Sequence, residues 1–106
     1  MKKLKTTNTD KMKKSTKPEA ELLNLLLEEN SEVIQAVSKI FRFGWESCHP
    51  DTPNFTNKDH LEEEIGDLLC IIKLLCDKGI VDQTAISRYA EFKIEKLRKF
   101  SNVKLD

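Results

Sequence analysis

Glycine, proline and cysteine are scarce in this chain, with three of each among 106 residues. So few turn formers exclude a β-sandwich or a barrel, which reverses direction every few residues. The odd cysteine count (Cys48, Cys70, Cys76), without any CxxC spacing, argues against a disulfide framework or a structural zinc site. A reducing cytoplasm is then the expected compartment. No apolar run approaches the roughly 20 residues of a membrane span. The lysine-rich start lacks the apolar core of a secretory signal. An excess of one charge is missing too. Lys and Arg number 18 against 18 Asp and Glu, so a wholly basic nucleic-acid binder is excluded. The length suits one domain, since halves of it would be too small to bury a stable core.

What the chain does hold is 39% apolar and 34% charged residues, the balance of a helix-prone globular domain. Its charge is unevenly placed. The first 17 residues carry seven lysines and one acid, whereas residues 18–106 carry 11 basic and 17 acidic groups. Residues 1–16 have no hydrophobic periodicity and read as a basic, flexible tail, leaving 17–106 as the domain. Two readings of that tail are open: contact with phosphates or nucleic acid, or a solubilising segment.

Three main helices are expected. Thr16 and Glu19 have capping-box spacing around Pro18, and a helical apolar pattern runs from Leu22 to Phe41, stopping near Gly44. Residues 44–57 hold two prolines and form one long loop. Thr56 and Asp59 mark a second helix reaching about Asp77, with Lys78-Gly79 as its stop. Asp82 caps a third that ends near Lys99. The fold class is all-α, a bundle of about three helices completed by dimerisation, because such wide apolar faces need a partner.

The first two helices carry acids in unexpected places. At 100° per residue, Leu22, Leu26, Val33, Ala36 and Ile40 share one stripe, with Glu29 in its middle and Glu32 at its edge. Glu28 falls toward the polar side. On the second helix Leu61, Ile65, Leu68, Leu69, Ile72 and Leu75 define the stripe. Glu64 projects between the directions of Ile71 and Leu75, and Asp67 between those of Ile71 and Leu74. Each helix thus presents an i,i+3 acid pair where the two should pack. Carboxylates gathered in a shared core repel and resist desolvation, so they must be protonated or bind a cation. Oxygen ligands without neighbouring Cys or His favour Mg²⁺, or Mn²⁺, and such ions engage phosphates. A di-iron bundle needs a Glu-x-x-His pair on each of two helices, and here the spacing occurs once, at Glu46 and His49 in the long loop.

Glu28-Glu29-x-x-Glu32 followed by Glu64-x-x-Asp67 resembles the EExxE…ExxD signature of MazG-type nucleoside triphosphate pyrophosphohydrolases. The surrounding LLNLLLEENSEVIQAV and HLEEEIGDLLCIIKLL are similar in character. The resemblance spans about residues 20–100. It implies an all-α, Mg²⁺-dependent enzyme that cleaves a nucleoside triphosphate to monophosphate and pyrophosphate, in nucleotide-pool sanitation, as a homodimer or homotetramer. It also implies metal ligands at Glu29, Glu32, Glu64 and Asp67, with Glu28 orienting the attacking water or holding a further metal. Glu28 or a ligand such as Glu29 would take the water's proton. Two departures stand out. Thirty-one residues separate Glu32 from Glu64, longer than usual, and the last helix lacks the Lys…Asn…Arg arrangement of many members.

Further candidates serve the substrate. Lys93 falls among Ile86, Tyr89, Ala90, Leu97 and Phe100 on the third helix, with Lys96 at the edge, and both are candidates for phosphate contacts. Phe41 and Trp45 could stack on a nucleobase, and the long loop could cover the pocket. Gly66, between Glu64 and Asp67, could permit close approach of a helix or ligand. The competing reading is a non-catalytic helical module that binds nucleic acid through its lysine tail.

Overall fold

The structure, a computed structural model, describes residues 17–105. Its elements are α1 (Lys17–Phe43), α2 (Asn57–Asp77) and α3 (Gln83–Phe100). The expected all-α class holds. The described residues contain no strand, only an isolated antiparallel bridge between Cys48 and Thr56. The tail 1–16, and with it the expected Thr16 cap, lies outside the described residues. By contact density the chain divides into two units, the first ending at Leu74 and the second beginning at Leu75.

Local signals set each helix end. The Gly44 N–H donates to the Ile40 carbonyl at 2.8 Å, and Gly44 takes a φ of +93°, which a side chain would resist. At the start of α2 the capping box is reciprocal. The Asp59 N–H donates to Thr56 Oγ1 at 3.0 Å, and the Thr56 N–H donates to Asp59 Oδ2 at 2.9 Å. The end of α2 is a Schellman turn. Ile80 N–H reaches the Leu75 carbonyl, Gly79 N–H reaches that of Cys76, and Gly79 has a φ of +72°. Asp82 caps α3, its Oδ2 accepting the Ala85 N–H at 3.0 Å.

In the first unit, packing follows one 4-3-4-3-4 row along α1. Leu22 and Ala36 are buried, and Leu26, Glu29, Val33 and Ile40 between and beyond them are half-buried. Ala36 has no exposed surface at all, so its small side chain lets a neighbouring element approach closely. On α2 the buried row is Glu64 and Ile71, with Leu61 and Leu68 half-buried in the same register. This corrects the expected stripe, since Ile65 and Leu69 are exposed. Residues 65–76 are apolar on more than one face, so periodicity alone misplaces the centre of the packed stripe; the α1 row selects the face that contains Glu64. A second row on α1, Leu23, Leu27, Ile34 and Phe41, faces outward, with Leu27 at 70% and Phe41 at 86% exposure.

The second unit holds the last residues of α2, the Gly79 turn and α3. Leu75 is buried there, but no residue of α3 is, and Tyr89, Phe92 and Phe100 lie open. Gly66 is not a point of close approach, because a Cβ built on it meets nothing within 4 Å. Its absent side chain only adds chain entropy to the unfolded state. Gly66→Ala should therefore stabilise the protein by about 0.5–1 kcal/mol. Urea unfolding would show a higher midpoint at unchanged slope.

Candidate metal centre

Helical periodicity carries Glu29 into the packed face of α1, and Glu64 and Asp67 onto the facing side of α2. Their carboxylate oxygens come within 4.8 Å of one another. Glu64 is buried at 7% exposure, Glu29 is half-buried and Asp67 is exposed. The trio thus reaches from the helix interface to its solvent edge. Glu29 Oε2 is sealed from solvent and has no hydrogen-bond partner. An orphaned, desolvated carboxylate oxygen among other acids is a poor arrangement for the protein alone and a good one for a cation. The donor set, all oxygen within this trio, fits a hard divalent ion.

Glu32 stands half-buried outside that close trio, though its charge still acts on Glu29. Glu28 is exposed. Trp45 and Phe41 are exposed, as are Lys93 and Lys96 on α3.

The acids are not without a nearby imidazole, contrary to expectation. His60 Nε2 lies 3.3 Å from Glu64 Oε1, and His60, Glu63 and Glu64 place their ligand atoms within 4.8 Å of one another. Sequence reasoning looked for histidine after glutamate, whereas here it comes first. The i,i+4 spacing of His60 and Glu64 was the available signal. His49 and the adjacent Cys48 have separate partners. Its Nδ1 accepts the Asp51 N–H at 3.1 Å, and the Cys48 thiol faces the Glu46 carbonyl at 3.9 Å.

A cavity of about 500 Å³ opens between the end of α1, the long loop and the start of α2, with His60, the neighbour of Glu64, on its edge. Phe43 and Phe55 supply its aromatic wall, Lys39 a cation, and His49, His60 and Glu63 polar edges. Its size is that of a small-molecule site. Phe43 and Phe55, rather than Phe41 and Trp45, are the rings on its wall.

An all-α domain that packs acids from two helices together presents the oxygen donors that a divalent cation takes. In comparison with known families, residues 17–100 match the MazG nucleotide pyrophosphohydrolase domain, and the chain belongs to that family. No match to this chain is found among curated proteins or among solved structures. No described helix is long and apolar enough to cross a membrane.

The cluster has an electrostatic signature. Burial raises the Glu29 pKa above its ordinary value, and the charges of Asp67, Glu64, Glu32 and Glu28 raise it further, in that order. Between 4.5 and the raised value, folded Glu29 holds a proton that the unfolded chain has released, so this group's contribution to stability falls as pH rises. Asp59 has the opposite sign. Hydrogen bonds from the Thr56 backbone, then its side chain, lower its pKa, and that contribution is lost as pH falls through the lowered value. Glu29→Gln should accordingly raise the Tm of metal-free protein at neutral pH and flatten its decline above pH 4.5. The same variant should lose most of the Tm increase that Mg²⁺ gives the parent chain, as melts with chelator and with Mg²⁺ would show.

Proposed function

We propose that this protein hydrolyses a nucleoside triphosphate to the monophosphate and pyrophosphate with a divalent metal, Mg²⁺ or Mn²⁺, in sanitation of the cytoplasmic nucleotide pool. The observation that carries this reading is the Glu29, Glu64 and Asp67 trio, with its orphaned Glu29 oxygen, inside a MazG domain. Glu29, Glu64 and Asp67 would hold the ion, and Glu32, one turn along α1 from Glu29, would complete the set on the solvent side. When bound, the ion supplies positive charge against the phosphate oxygens and acidifies water.

The chain's own groups do the rest. Glu28, exposed next to Glu29, accepts the proton of the attacking water. The cavity walled by Phe43 and Phe55 receives the base, offering it ring faces and an apolar bed. Phe41, Trp45, Lys93 and Lys96 remain candidates for substrate contact, the lysines through phosphate oxygens. The outward row of α1 and the open aromatics of α3 support a homodimer or homotetramer, because a lone chain leaves them in water.

A panel of common and modified nucleoside triphosphates, incubated with the full chain and Mg²⁺, tests the reading by pyrophosphate release. At least one should turn over, and Glu64→Gln should lower its kcat at least about 100-fold. Absence of turnover across the panel, with Mg²⁺ and with Mn²⁺, overturns it.

A further inference from the structure

We propose that His60 is a positioning residue: its imidazole fixes the Glu64 carboxylate and presents it to the ion of the acid trio. The inference rests on the metal-dependent hydrolysis proposed above and adds a residue that acts through Glu64. His60 Nε2 lies 3.3 Å from Glu64 Oε1, and the two side chains are 22% and 9% exposed. An ionised carboxylate only accepts, so Nε2 carries the hydrogen at this contact. Among the described residues, no other basic side chain comes within ion-pair distance of Glu29, Glu64 or Asp67.

The imidazole is itself held from two directions. Its backbone N–H donates to the Thr56 carbonyl at 3.0 Å, in the turn that the Thr56–Asp59 box fixes. The Phe55 ring packs at a tilt against that of His60, 6.2 Å away between centroids. Glu64 follows one turn further along α2, on the same face.

Glu64 needs such a brace. A glutamate side chain loses much rotamer freedom when an ion fixes it. Repulsion from Glu29 and Asp67 favours rotamers that turn Glu64 away from them. Contact with His60 removes that freedom before an ion arrives. It also occupies one carboxylate oxygen, so the second is left for the ion. The opposite side of the imidazole has its own neighbour. His60 and Phe55 line the cavity, whereas Glu64 does not. His60 therefore stands between the cavity and the acid trio.

Mn²⁺ binding to metal-free, full-length protein without nucleotide, measured by calorimetry, tests the role without depending on turnover. His60→Leu should weaken Mn²⁺ about tenfold or more, the usual cost of losing a group that orients a ligand. His60→Gln can bring an N–H to the place of Nε2, so its affinity should stay within about threefold of the parent. In a Glu64→Gln background, His60→Leu should change affinity less than about twofold, because the group it acts through is already altered. In the hydrolysis assay, the Mg²⁺ concentration for half-maximal rate should rise in step with the affinity lost in His60→Leu. A residue that only touched the base would raise the nucleotide KM and leave nucleotide-free Mn²⁺ binding unchanged. Should His60→Leu fail to fold, His60→Asn decides, being polar and too short to reach Glu64. Unchanged Mn²⁺ affinity in His60→Leu, or an equal loss in His60→Gln, overturns the role. A parent chain that binds no Mn²⁺ overturns it as well. The expected binding pattern without any turnover would instead overturn the hydrolysis and leave the bracing of Glu64 standing.

Discussion

Like charges held together across a helix interface are the constraint on which this structure turns. Glu29 from α1 meets Glu64 and Asp67 from α2 within 4.8 Å. Apolar packing along Leu22, Ala36 and Ile71 supplies the force that keeps them there, because burying each large aliphatic side chain is worth about 1.5–3 kcal/mol. Repulsion and desolvation work against that packing, and the raised Glu29 pKa records the conflict. A fold selected for stability alone would place an aliphatic residue at position 29. An acid there fits the proposed role, since the free energy of binding a cation would offset the repulsion.

Helix boundaries were legible because they rest on short-range chemistry. The Thr56–Asp59 box, the Asp82 cap and the Gly79 stop each involve residues within a few positions of one another, and the structure forms all three. The packed face of α1 was legible too, since one helical row runs unbroken from Leu22 through Glu29 to Ile40. On α2 the reading slipped, as Ile65 and Leu69 are as apolar as Ile71, and only the partner helix selects between faces. The acid trio followed from periodicity on both helices. The His60 contact required looking upstream of Glu64, and the cavity depends on the path of residues 44–57, which no periodicity describes.

Membership of the MazG family and the exposed apolar rows bear on one another. No residue of α3 is buried, and the outward row of α1 lies open as well. Lone chains of this size have little stability to spare. The outward row of α1 keeps helical spacing from Leu23 to Phe41, so one straight neighbouring helix could cover it along its length.

The long connection between α1 and α2 is tied at its neck. The Asn57 side chain donates to the Gly44 carbonyl at 2.9 Å, its own N–H to the Ser47 carbonyl at 2.9 Å, and the Lys58 N–H to the Trp45 carbonyl at 3.0 Å. Chain beyond a tied neck can lengthen or shorten at slight entropic cost, because closure entropy grows only with the logarithm of length. The register between α1 and α2 is therefore insulated from the loop's content. Thirty-one residues between Glu32 and Glu64 put no strain on the acid trio. The same insulation leaves residues 47–56 open to drift, so the cavity wall they form can be remade while the acid trio keeps its geometry.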